Sequence, residues 1–188
     1  VVVATGSLPA RAGFQRALPM VDRLPGVDGA DVVAIHDVLD GATPPGRRLL
    51  VLDDLGDWRG TGTAVALAEA GHEVTILTSA PVIAGGLMHS AADGPLRRRY
   101  LAAGGTALPN VVVEAWTGDG ARLRFLQDAT SFDLEADGLV IAETAVSETA
   151  LADGLRAAEI PFELIGDAVA PRRASLAFYE GRELGRRL

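Results

Sequence analysis

The chain has 188 residues, a net charge of −8, 48% hydrophobic residues and 22% charged ones. That suits a packed globule of one domain or two small ones, and the negative balance disfavours nucleic acid and anionic membranes as partners. Cys is absent and all 17 basic side chains are Arg, so disulfides, thiolate-held zinc or iron–sulfur clusters, a P-loop lysine and a Schiff-base lysine are excluded within this chain.

In chain order, Val1–Ala4 reads as a short buried strand running into a turn at Thr5-Gly6. The chain opens inside that strand and without Met, so a piece of a longer polypeptide is expected. No signal peptide and no apolar run of the ~20 residues a membrane helix needs are visible, and a cytoplasmic location is expected. Residues 7–46 are rich in Pro, Gly and Asp and read mostly as loop, with one short strand and a helical turn in Asp31–Leu39. Pro44–Gly46 breaks the chain. A strand–helix–strand unit follows: Arg47–Asp54, Thr61–Ala70 stopped by Gly71, and His72–Thr78. Apolar strands joined by a short crossover should be parallel. Gly94–Gly105 reads as a second helix. "NVVVEAW", "RLRFLQ" and "SFDLEA" read as an antiparallel meander turning first at Thr117–Gly120. Asp137–Ala142 is another buried strand. Ser147 is expected to cap a helix reaching Ala158. Phe162–Asp167 is the last strand and Ala174–Leu188 the last helix. The fold expected is α/β: a Rossmann-like parallel sheet with flanking helices and a small antiparallel meander.

The turn between Leu52 and Ala64 sits where a phosphate-binding loop belongs, after a buried strand and before a helix. Gly60 falls on the third glycine of G-x-G-x-x-G, and Gly56 lies between the first two positions, which hold Leu55 and Asp57. Gly56 and Gly60 are therefore candidate cofactor contacts. Asp53, Asp54 and Asp57 would repel a diphosphate, and the next strand ends at Thr78 rather than at the acid that holds a ribose. Two readings stay open: a Rossmann shape without nicotinamide binding, or an unusual NAD(P)H site. Asp53 and Asp54 are adjacent on a strand and point to opposite faces, so no metal site is expected. His36, His72 and His89 fall in different elements and no catalytic set assembles. Arg97–Arg99 reads as a solvated helix face, and Trp58 and Trp116 as packing or interface residues.

The two ends carry a resemblance. "VVVATG" at Val1–Gly6 and "LIGDAVAPR" at Leu164–Arg172 resemble the Ala-Thr-Gly and Gly-Asp segments of flavoproteins in which one dinucleotide-binding domain is inserted into another. With "GHEVTILT" and the closing "GRELGRRL", the chain resembles the C-terminal region of old-yellow-enzyme-like FMN/iron–sulfur oxidoreductases, of the trimethylamine, dimethylamine and histamine dehydrogenase and 2,4-dienoyl-CoA reductase type. The resemblance implies residues 1–46 as the tail of a FAD/ADP-binding domain, 47–145 as an inserted NAD(P)-type domain and 146–188 as the return to the first. It implies FAD or ADP near Thr5, Gly6, Gly166 and Asp167. It places FMN, a 4Fe-4S cluster and the catalytic barrel upstream in the same polypeptide, with a second subunit or an electron-transfer protein as a further partner. The competing reading is a degenerate, non-catalytic module serving structure or an interface.

Overall fold

The computed structural model describes residues 1–188. Its elements in chain order are β1 (Val2–Val3), β2 (Ser7–Leu8), β3 (Val32–Ala34), α1 (Ile35–Leu39), β4 (Arg48–Asp53), α2 (Gly60–Glu69), β5 (Glu73–Thr78), α3 (Asp93–Ala102), β6 (Thr106–Pro109), β7 (Val111–Trp116), β8 (Gly120–Phe125), β9 (Ser131–Glu135), β10 (Gly138–Ala142), β11 (Val146–Ser147), α4 (Ala150–Ala157), β12 (Glu163–Leu164) and α5 (Ala174–Gly185). Two 3-10 turns, Gly85–Ser90 and Gly166–Ala168, complete the set. No helix is long and apolar enough to cross a membrane.

The residues gather into two compact units. A central unit spans Arg11–Glu143, and a terminal unit joins Val1–Ala10 to Thr144–Leu188. Residues 11–34 are tied into the central sheet and its loops.

The central unit is built on a five-stranded parallel sheet in the order β3-β10-β4-β5-β6. β4 is buried from Leu49 to Asp53, as a strand covered on both faces must be. Its side chains alternate. Leu49 and Val51 join Ala64, Val65, Leu67 and Ala68 of α2 and Tyr100 of α3 in one core. Leu50 and Leu52 join Val111, Val113, Trp116 and Leu123 of the meander in another. Helices thus cover one face and the antiparallel β7-β8-β9 the other. β6 is a strand with no counterpart in the local pattern, where Gly105 reads as the stop of a helix. A proline is tolerated there because β6 is the sheet edge.

The terminal unit is held by pairing across most of the chain's length. β1 runs parallel to β12, with Val2 opposite Glu163 and Val3 opposite Leu164. β2 runs antiparallel to β11, with Ser7 opposite Ser147. Only Val3 of the opening strand is buried. Ser147 is therefore a strand residue and not the expected helix cap. α4 begins at Ala150, whose N–H donates to Glu148 Oε1 at 2.8 Å. The last strand is also shorter than expected, because Gly166 takes a positive φ and turns the chain.

Candidate functional site

The carboxyl ends of the parallel strands are where an open α/β sheet binds its ligand. Here four carboxylates, Asp53, Asp54, Asp57 and Glu143, crowd that edge, and each is engaged by the chain itself. Asp53, at the end of β4, is 1% exposed. Its Oδ1 accepts the N–H of Leu55 at 3.1 Å and of Gly56 at 2.7 Å, and its Oδ2 accepts the Thr61 hydroxyl at 2.9 Å. Burial pushes the Asp53 carboxyl up, and these hydrogen bonds partly oppose that. Gly60 is required by this packing: a Cβ there would stand 2.1 Å from Asp53 Oδ1. The candidate Gly60 thus serves to admit an internal carboxylate. Gly56 likewise spends its N–H on Asp53, while its carbonyl accepts the Gly86 N–H at 2.9 Å. Asp57 Oδ1 takes the Arg59 N–H at 2.9 Å and approaches that of Gly60 at 3.4 Å.

Asp54 points the other way, as neighbours on a strand must. It accepts the Arg16 N–H at 3.2 Å and Arg16 Nε at 2.8 Å, and its carbonyl accepts Arg16 Nη2. Burial raises the Asp54 carboxyl against the pull of Arg16. Glu143, just past β10, receives three successive N–H groups: Ala12 at 2.7 Å, Gly13 at 2.9 Å and Phe14 at 2.8 Å. Consecutive amides converging on one point form an anion-binding nest. Between these ties, the Gln15 amide exchanges two hydrogen bonds of 2.8 Å with the Val113 backbone. Residues 12–16 are therefore a strap joining the ends of β4 and β10 to β7. Glu143, Arg16 and Gln15 were not singled out by the sequence. The only trace was an acid directly after an apolar strand.

The four other candidates lie in the terminal unit, and the β1–β12 and β2–β11 pairings bring their segments together. The Thr5 hydroxyl donates to the Glu148 carbonyl at 2.7 Å, and the Gly6 carbonyl accepts the Glu148 N–H at 3.0 Å. Gly6 has no heavy atom within 4 Å of where a Cβ would stand. Asp167 Oδ2 lies 3.4 Å from Ser7 Oγ, and its Oδ1 accepts the Arg172 N–H at 3.2 Å. The Ser147 hydroxyl donates to the Asp167 carbonyl at 2.8 Å. These contacts leave the Asp167 carboxylate lone pairs for further hydroxyl donors.

The chain's mixed α/β fold is shared with FAD/NAD-binding domains of flavin-dependent oxidoreductases. Histamine dehydrogenase from Rhizobium sp. 4-9 matches all of this chain with a TM-score of 0.91 at 24% identity, over 30% of its own length. The 6-hydroxypseudooxynicotine amine oxidase of Pseudomonas geniculata N1 matches 98% of the chain with a TM-score of 0.90 at 26% identity, over 28% of its length. A 2-naphthoyl-CoA reductase matches 98% with a TM-score of 0.75 at 25% identity, over 26% of its length. These are the old-yellow-enzyme-like flavoproteins that the terminal motifs resemble, matched over this chain's full length. The chain spans less than a third of each. No protein-family model matches the sequence.

Proposed function

We propose that this chain is the nucleotide-binding portion of a flavin-dependent oxidoreductase, of the NADH:flavin or amine-dehydrogenase kind, with no catalytic centre of its own. The terminal unit, Val1–Ala10 with Thr144–Leu188, contributes a cradle for FAD or ADP. The observation that carries this reading is the β1–β12 pairing. It joins the Ala-Thr-Gly and Gly-Asp segments, which stand more than 150 residues apart in sequence, into one structure. The chemistry of the donor set fits the group. Gly6 leaves room for close approach, and Asp167 accepts hydroxyls of a ribityl or ribose chain. A bound flavin supplies hydride and single-electron transfer, while the residues of this chain bind and orient. FMN, a 4Fe-4S cluster and the barrel that holds them belong, on this reading, to another part of the same polypeptide.

The central unit has a different role. Asp53 favours the reading of a dinucleotide fold kept for structure or for an interface. Its carboxylate takes the turn amides that a pyrophosphate would need, and Asp54 and Asp57 flank it. An open groove of about 450 Å³ on the helical side, bordered by Leu39, Trp58, Ala66 and Leu96, is the kind of face on which an electron acceptor or a second subunit would dock. Trp58 is 59% exposed there.

Calorimetric titration of the full polypeptide with FAD, ADP, NADH and NADPH tests both parts. FAD or ADP should bind, and Asp167→Asn should weaken it about tenfold. NADH and NADPH should give no binding heat at the central unit. Tight NADH binding abolished by Gly56→Val would overturn the second part. Failure of both FAD and ADP to bind would overturn the first.

A further inference from the structure

The turn that carries Gly166 and Asp167 is held from one side by a single carboxylate. Gly166 has φ +69°, a conformation that favours glycine, and the peptide on its amino side must be fixed for the turn to be fixed. Its N–H donates to Glu180 Oε2 at 2.7 Å. Glu180 Oε1 pairs with Arg172 Nη2 at 2.5 Å. Arg172 in turn donates its backbone N–H to Asp167 Oδ1 at 3.2 Å and its Nε to the Ala170 carbonyl at 3.0 Å. The Gly166 N–H, and then Arg172, draw the Glu180 carboxyl below the usual carboxylate range, the direction expected of a group that works ionised. Charge-assisted bonds of this kind set geometry more firmly than neutral ones. Ser147 holds the same turn by the Asp167 carbonyl, so the turn does not depend on Glu180 alone to stay folded.

We infer, resting on the cradle reading above, that Glu180 is a positioning residue: it fixes the Gly166 peptide and, through Arg172, the Asp167 carboxylate, so that this turn meets the hydroxyls of FAD or ADP already arranged. Glu180 acts through its neighbours and does not itself contact the ligand. Preorganisation of this kind raises affinity by removing the ordering that binding would otherwise require.

The test is calorimetric titration of FAD and ADP into the full polypeptide as wild type, Glu180→Gln, Glu180→Ala and Arg172→Ala, with the unliganded thermal midpoint of each. Glu180→Ala should weaken the bound ligand about tenfold, and Arg172→Ala about threefold. Glu180→Gln, whose amide oxygen still accepts the Gly166 N–H, should recover most of the loss. The unliganded midpoints should stay within a few degrees of wild type, separating affinity from unfolding. Equal affinity in Glu180→Ala and wild type overturns the inference, and so does a Glu180→Gln that binds no better than Glu180→Ala. A wild type that takes neither FAD nor ADP is a distinct result: it removes the cradle reading, and this inference with it.

Discussion

Asp53→Ala should destabilise the central unit by about 3 kcal/mol, whereas Asp53→Asn should cost less than about 1 kcal/mol. Alanine strands the amides of Leu55 and Gly56 and the Thr61 hydroxyl without an acceptor in a site that water does not reach. Asparagine keeps an oxygen at Oδ1, where both amides point. Its NH2 falls at Oδ2, whose only partner is a hydroxyl that can reverse and accept. Asn also removes the burial of a charge. Because burial raises the Asp53 carboxyl, the folded state holds that proton more tightly than the unfolded chain. The stability linked to it is full below the ordinary Asp value, about 3.9, and is lost as pH rises through the folded-state value. Asp53→Asn should therefore gain on wild type as pH rises. Urea unfolding followed by Trp fluorescence reads this directly, since Trp58 and Trp116 both belong to the central unit. An alanine variant as stable as wild type would mean that the carboxylate does not hold the turn.

Glu143 should behave differently under the same pair of changes. Glu143→Ala should cost about 3 kcal/mol, and Glu143→Gln about 2 kcal/mol. Both oxygens of this carboxylate receive backbone N–H groups, Ala12 and Gly13 on Oε1 and Phe14 on Oε2. An amide must turn its NH2 toward at least one of them, and a backbone N–H cannot reverse. The contrast between a tolerated Asp53→Asn and a costly Glu143→Gln follows from what sits opposite each oxygen, and the same urea unfolding measures it. A Glu143→Gln variant indistinguishable from wild type would show that the strap is not anchored by the nest.

Much of the frame was legible because it is written in local patterns. The apolar run of β4, the small-residue face of α2 and the stop at Gly71 define one crossover, and the hairpin turn at Thr117–Gly120 defines the start of the meander. The pairing of the two ends was legible only through the resemblance of their motifs, since no period in the sequence links Val2 to Glu163. What stayed hidden depends on tertiary contact. Residues 12–16 look like loop because their partners, Glu143, Asp54 and Val113, are remote in sequence. Asp53 read only as an obstacle to a phosphate, because its bonds to the Leu55 and Gly56 amides and to Thr61 leave no mark in a local pattern. Ser147 satisfies the pattern of a helix cap, yet its backbone is taken by Ser7 across the β2–β11 ladder. β6 was hidden because its four residues, between the helix stop at Gly105 and the meander, are too few to show a strand pattern.

The strap also has a bearing on how the central unit comes together in time. Glu143 closes on amides 129 to 131 positions earlier, and β3 waits for β10 across a comparable stretch. Loops of that length close slowly, and ladders that depend on them are late events. During synthesis the amino-terminal strand of this sheet must remain without its neighbour until nearly the whole unit has been made, so its apolar residues stay uncovered until then.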